Sequence, residues 1–245
     1  MFGFTGKIIQ ILSAAAVLVV IGVIVVFASF SIMGPKDLGV TYTHEDYQNA
    51  LAKTGIQIEF EGMTGDELEE YKMNAEPKSF HDYDFEFSDY QHKEFTLSNS
   101  EATALLNEIA PGFWWFDDLQ VKVNPDGSME GSSKADIKRL KNDLYSDVAD
   151  DVPLPLPDKL NIYSKGHTTI ENNQLNFNPD SFYLGSAPLP GRYLEDDSVR
   201  TMEQYLPRIY EVVPGLEIRS LDANDDGEFV FDGVIPQKVT VNKKA

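Results

Sequence analysis

The chain has 245 residues, and 40 acidic side chains against 20 basic ones give it a formal charge of −20. That balance excludes a general nucleic-acid binder, whose phosphate contacts need clustered Lys and Arg, and a polybasic surface for anionic lipid. The lack of cysteine excludes disulfides, thiolate zinc sites, iron–sulfur clusters and cysteine nucleophiles, while 42% hydrophobic and 11% aromatic content excludes a disordered acidic tail.

The charge is unevenly placed. Lys7 is the one charged side chain up to Met33, so the rest of the chain carries −21, the −20 of the whole less the +1 of Lys7. Ile8 to Met33 is uncharged and, as a helix, would extend ~39 Å, enough for a ~30 Å hydrocarbon layer. The run exceeds the 7–15 apolar residues usual in a cleaved signal peptide, so an uncleaved signal anchor is expected. Lys7 on the short flank sets the N-terminus cytoplasmic and the acidic body extracytoplasmic, in a single-pass protein of the cell membrane. The expected organisation is a cytoplasmic stub and transmembrane signal anchor (1–33), a short connector (34–42), an acidic helix/strand region (43–94) and a hairpin-rich extracytoplasmic domain (95–245).

Thr43 reads as the N-cap of a helix that carries Glu45 and Asp46 in its first turn and closes at Gly55. Ile56 to Phe60 alternates like a half-buried strand. Thr64 to Met73 reads as an acidic helix. Asp82 to Phe87 alternates acid and aromatic, which on a strand puts the acids on one face and the rings on the other. Leu97 to Ile109 is the clearest soluble helix, with Ser98 and Glu101 as a capping box and Ala102, Leu105, Leu106 and Ile109 as its apolar face. Phe113 to Phe116 is an aromatic run suited to a core plug.

The second half reads as hairpins. Leu119–Val123 and Ser128–Ala135 flank the turn Asn124-Pro125-Asp126-Gly127. Ile162–Ile170 and Gln174–Leu184 flank Glu171 to Asn173. Leu216–Leu221 and Glu228–Val234 flank Asp222 to Gly227. The first and last hairpins share a layout that suggests internal duplication. Val152 to Pro157 must be extended, and Ser198 to Val213 reads as a helix kinked at Pro207. The expected class is α+β: an N-terminal transmembrane helix, then a mostly antiparallel, hairpin-rich sheet with three or four packed helices.

Catalytic signatures are absent. His44-Glu45 opens like a zinc-protease HExxH, but Gln48 stands where the second histidine belongs. No nucleophile elbow, Walker loop or dinucleotide glycine pattern occurs. No catalytic residue is assigned, and no enzyme is expected. One spacing has physical content. Asp222-Ala223-Asn224-Asp225-Asp226-Gly227 matches the first six positions of a calcium loop, with oxygen ligands at alternate positions. Gly233 replaces the bidentate Glu at position 12, and the flanks read as strands, so a full EF-hand is excluded. The two readings are an acidic turn and a Ca2+ site built from Asp222, Asn224 and Asp226, with Asp232 as a late ligand.

The order of features resembles the YpmS-type single-pass bacterial surface proteins: an anchor, a capped helix in Leu97 to Glu101, hairpins such as Leu119 to Gly127, and a Leu-Gly to Pro-Leu-Pro stretch from Leu184 to Pro190. More remotely it is similar to tubular lipid-carrying domains. The acidic stretch Gly62 to Glu94 departs from that pattern. The resemblance implies that the apolar faces of Ser198–Val213 and of the hairpins line a groove for acyl chains or a partner.

The function expected is a non-enzymatic, membrane-tethered binding domain for a partner protein or lipid. Its membrane contact would run through residues 8–33, and it has no nucleic-acid partner. The alternatives are a structural subunit of an envelope assembly and a carboxylate-based wall hydrolase.

Overall fold

The structure is a computed structural model that describes residues 35–62, 83–108, 116–136, 138–139, 158–185, 187–188 and 213–244. Its first helix, α1 (His44–Thr54), begins as expected. Thr43 Oγ1 accepts from the Asp46 N–H at 3.3 Å, and the Asp46 carboxylate accepts from the Thr43 N–H at 2.7 Å. Gly55 ends the helix at φ +74, donating to the Leu51 carbonyl at 2.7 Å. The second helix, α2 (Asn99–Glu108), carries the Ser98–Glu101 capping box. Glu101 also accepts from Lys53 of α1 at 2.6 Å, so one carboxylate caps α2 and ties the two helices together.

Apart from two helical residues at 138–139, the remaining regular structure among the described residues is strand: β1 (Gln57–Glu61), β2 (Tyr83–Leu97), β3 (Phe116–Val123), β4 (Met129–Asp136), β5 (Lys159–Glu171), β6 (Gln174–Leu184), β7 (Ala187–Pro188), β8 (Glu217–Ala223) and β9 (Phe229–Lys243). They form one nine-stranded sheet. Its pairs are antiparallel except β1–β9, which is parallel.

Strand β9 organises the sheet. Along one edge it pairs with β2, from Tyr83↔Lys243 to Leu97↔Phe229. Along the other it pairs first with β8, up to Val234, and then with β1, from Lys238. Pro236, which lacks a ladder N–H, falls in the gap between those two partners. Gln237, in the same gap, donates to the Thr54 carbonyl at 3.2 Å and so ties the end of α1 to the sheet. Strand β5 is shared similarly, with β6 along one edge and β4 followed by β8 along the other.

The alternation in β2 falls as expected: Asp84 and Glu86 are exposed, while Phe85 and Phe87 are half-buried. Further along, Phe95 stacks on its cross-strand partner Phe231 at 4.8 Å between centroids. Phe231 joins Ile170, Leu175, Ile218 and Ile235 in one core cluster. The β5–β6 turn uses Asn172 and Asn173 at φ +51 and +59, the left-handed pair that a tight hairpin requires. Both turn N–H groups donate to β8 carbonyls, and Asn173 Oδ1 accepts from the Ile218 N–H at 2.6 Å.

Strand β3 pairs with β4, and its other edge is met by side chains of α2 rather than by a strand. Asn99 Oδ1 accepts from Val123 N–H at 2.8 Å, Thr103 Oγ1 from Val121 N–H at 3.1 Å, and Asn107 Oδ1 from Leu119 N–H at 3.2 Å. The same three side chains donate to the carbonyls of Val123, Val121 and Leu119. The match is one of spacing: four helical residues rise ~6 Å, and two strand residues advance ~6.6 Å. Asn99, Thr103 and Asn107 therefore act as a surrogate strand.

Three expectations need correction. The expected α+β arrangement with three or four packed helices and a transmembrane helix gives way to a mostly β fold with two helices among the described residues. The strands run far longer than short hairpins require, since β2 and β9 hold 15 residues each and β5 holds 13. Pairing on both edges carries β5 and β9 past the ends that local turn signals suggested. Third, no described helix is long and apolar enough to cross a membrane. The longest, α1, has 11 residues, a rise of ~16 Å against a ~30 Å hydrocarbon core. Among the described residues nothing supports the expected transmembrane signal anchor or the single-pass, extracytoplasmic placement that rested on it. The anchor at 8–33, the helices at 64–73 and 198–213, the extended 152–157 and most of the aromatic run (113–115) lie outside the described residues.

Two consequences are measurable. Thr103→Val removes one rung of the α2–β3 ladder and leaves Val121 N–H unpaired, which should cost about 1–3 kcal/mol in urea unfolding. Asn99→Ala with Asn107→Ala should expose the β3 edge and give self-association in sedimentation. The second consequence concerns pH. Burial pushes the Glu101 carboxyl up, but the bonds from Lys53 and Ser98 outweigh it and hold the group below its ordinary 4.5. A depressed folded value stabilises above the unfolded value and is lost as pH falls through the folded one. Glu101→Gln should thus lower stability by about 1 kcal/mol at pH 7, with the difference from wild type vanishing in acid unfolding once the pH falls below the depressed folded value.

Candidate metal centre

Strand β8 carries Asp222, which sits opposite Val230 of β9, and Asp222 Oδ1 accepts from the Ala223 N–H at 2.7 Å. The turn that follows is built around Asn224. Its Oδ1 accepts from the N–H groups of Asp226 and Glu228 at 3.1 and 2.9 Å, and its Nδ2 donates to Glu228 at 3.1 Å. Asp226 is exposed beyond it. The oxygen at the third position of the expected calcium loop is therefore committed to folding the turn.

The hairpin between β3 and β4 uses the same backbone bonds. Asn124 N–H donates to the Ser128 carbonyl at 2.8 Å and Gly127 N–H to the Asn124 carbonyl at 2.9 Å; Asn224 N–H donates to Glu228 at 3.0 Å and Gly227 N–H to Asn224 at 3.1 Å. Both glycines sit at φ +78, where a Cβ would be strained. The Asp-Gly ending common to both is turn chemistry.

Asp232 lies apart from that turn, inside β9. There it faces Glu94 of β2 directly across the ladder, with His92 two residues back along β2 on the same face. His92 Nε2 lies 2.5 Å from Asp232 Oδ1 and 3.9 Å from Glu94 Oε1. The three side chains offer ligand atoms within 4.8 Å of one another, and they are the group of His, Asp and Glu among the described residues that does so. Of the four residues expected to hold a cation, the structure brings Asp232 together with other ligating side chains, and those are His92 and Glu94. Sequence reasoning missed both partners. The local signal was a His-x-Glu alternation, which on a strand puts both side chains on one face. The pairing that supplies Asp232 spans 140 positions.

The backbone around the trio is tightly determined. Asp232 sits between Phe231, buried against Phe95, and Gly233, on which no side chain fits. A Cβ there would meet the Glu217 carbonyl at 2.2 Å and the Phe231 ring at 2.8 Å. The glycine permits the close approach of β8 at its register shift between Ile218 and Ser220. On the other flank, Tyr90 OH donates to the Pro214 carbonyl, anchoring the entry to β8 beside β2.

The same face of the sheet gathers more negative charge. Asp222 and Glu217 of β8 occupy register positions level with Val230 and Val234, on the face that also presents Asp232 and Glu94. Glu94, Glu217 and Asp222 are exposed, and Arg219, which bonds Glu217 at 3.3 Å, is the cation beside them.

Comparisons of the chain with protein-family models, with curated proteins and with solved structures return no match.

Gly233→Ala should force β8 away from β9 and cost about 1–3 kcal/mol, as overpacking a filled site does. Thermal unfolding of the variant checks this, and amide exchange should locate the loosened protection in residues 217–223.

Proposed function

We propose that this chain is a non-catalytic binding domain whose partner is a protein with a Lys- and Arg-rich surface, received on the solvent face of β8, β9 and β2. The observation that carries this reading is the grouping of Glu217, Asp222, Asp232 and Glu94 on one face of three hydrogen-bonded strands. Rigid strands hold these charges in fixed positions, and fixed charges of one sign steer and orient an oppositely charged partner.

Lipid is the less suited ligand. The apolar side chains of the described hairpins are spent on the core, where Ile170, Leu175, Ile218, Phe231 and Ile235 pack together. Among the described residues the exposed large hydrophobics are Tyr42 and Tyr90, which do not line a channel for acyl chains. Assembly by strand addition at β3 is likewise disfavoured, because α2 already occupies that edge.

The test compares the full chain with its Glu217→Gln/Asp222→Asn variant in crosslinking from native extract. A basic protein should crosslink to the β8–β9–β2 face, be lost with the neutralised variant, and fall away between 0.1 and 1 M salt as the screening length shrinks from ~10 to ~3 Å. Equal recovery by wild type and variant, or crosslinks mapping elsewhere, refutes the reading.

A further inference from the structure

We infer that His92, Glu94 and Asp232 form a binding site for a zinc-class divalent cation that clips β2 to β9. The site shares Glu94 and Asp232 with the acidic face described above, but it is argued from its own donor set and tested by metal binding alone.

The ladder creates the case for a cation. Glu94 and Asp232 are directly opposed positions of an antiparallel pair, where like charges destabilise one another. Their register is fixed from the reverse face by the stacked rings of Phe95 and Phe231, one residue along each strand. Slipping one strand by one residue to part the carboxylates would turn its ring out of the core and break the stack. The two acids are therefore held together by a constraint unrelated to their own chemistry. Both lie within 4 Å of a single atom, His92 Nε2, at 2.5 and 3.9 Å.

The donor set selects the ion. One imidazole nitrogen and two carboxylates suit zinc and its neighbours, whose sites commonly have three protein ligands and an open fourth position. Ca2+ prefers six to eight oxygens, and three donors including a nitrogen do not provide them. The movement required is small and falls on mobile groups. The His92 and Glu94 side chains are 42% and 73% exposed, so each can turn by about an ångström to bring its atom to the ~2.0–2.2 Å that zinc needs. Asp232, at 34% the least exposed of the three, is the fixed member. The fourth position faces solvent.

Calorimetry on the full chain, stripped with EDTA and titrated with Zn2+, tests the site. The expected result is one Zn2+ per chain at micromolar Kd, weakened at least tenfold by His92→Gln and by Asp232→Asn. Asp222→Asn and Asp226→Asn, which alter the acidic turn, should stay within about twofold, and 1 mM Ca2+ should not compete. Saturating Zn2+ should raise Tm in the wild type and leave His92→Gln unmoved. Since His92→Gln keeps an exposed side chain of similar size, its Tm without metal should match the wild type. Zn2+ affinity unchanged in His92→Gln, an equal loss in Asp222→Asn, or millimolar binding alone overturns the assignment and leaves scattered acids as the source of any heat.

Discussion

Every strand in this protein must find partners for two rows of backbone donors and acceptors, and the distribution of those partners decides the architecture. A buried amide without a partner costs about as much as a lost hydrogen bond. Strand β9 is too long for any one neighbour on its second edge, so β8 and β1 divide it, with Pro236 in the interval. Strand β5 is divided between β4 and β8. Among the described residues strand β3 has no second strand, and it is completed by Asn99, Thr103 and Asn107 of α2. A sheet assembled from sequence-distant pieces is thus closed locally at its vulnerable margin, by a helix that follows β2 directly and that Glu101 and Lys53 link to α1.

Local signals were legible where local chemistry decides. The caps at Thr43, Gly55, Ser98 and Glu101, the Asn-Asn turn, the Asp-Gly turns and the acid–aromatic alternation of β2 each depend on residues within a few positions of one another. The extent of the strands was not legible, because it depends on pairing. Residues 88–97 carry no clean alternation beyond the aromatic stretch, yet β9 holds them extended to Leu97. The helix Asn99–Glu108 was legible through its apolar stripe, while its polar stripe gave no warning. Asn, Thr and Asn at intervals of four look like an ordinary solvated face until the edge of β3 is laid beside them.

The candidate cation site divides the same way. Asp232 drew attention because it follows an acidic turn, and a ligand spacing borrowed from helix-flanked loops tied it to Asp222, Asn224 and Asp226. Strand geometry separates them. Alternate residues of β9 share a face, but the turn curls back on itself and spends Asn224 Oδ1 on its own N–H groups. What joins Asp232 to His92 and Glu94 is a register set by ring stacking on the opposite side of the sheet, and no spacing rule within one segment encodes it.

The charge of −20 acquires a physical meaning from this arrangement. Acids dispersed over a sheet would repel weakly across water and serve solubility alone. Here a portion is concentrated by the alternation of three adjacent strands, which turns Phe95, Phe231 and Ile218 inward and so must turn Glu94, Asp232 and their neighbours outward. The core and the acidic face are two sides of one pattern. A substitution that shifts the register to relieve the repulsion would turn acids toward the core, so the sheet retains the crowded acids, which meet His92 within the chain and stay open to neutralisation from outside. A bound cation and a basic partner are two chemistries that can do so, and they centre on different residues of one face. The cation suits the His92–Glu94–Asp232 corner, and the partner suits the exposed Glu217 and Asp222 of β8.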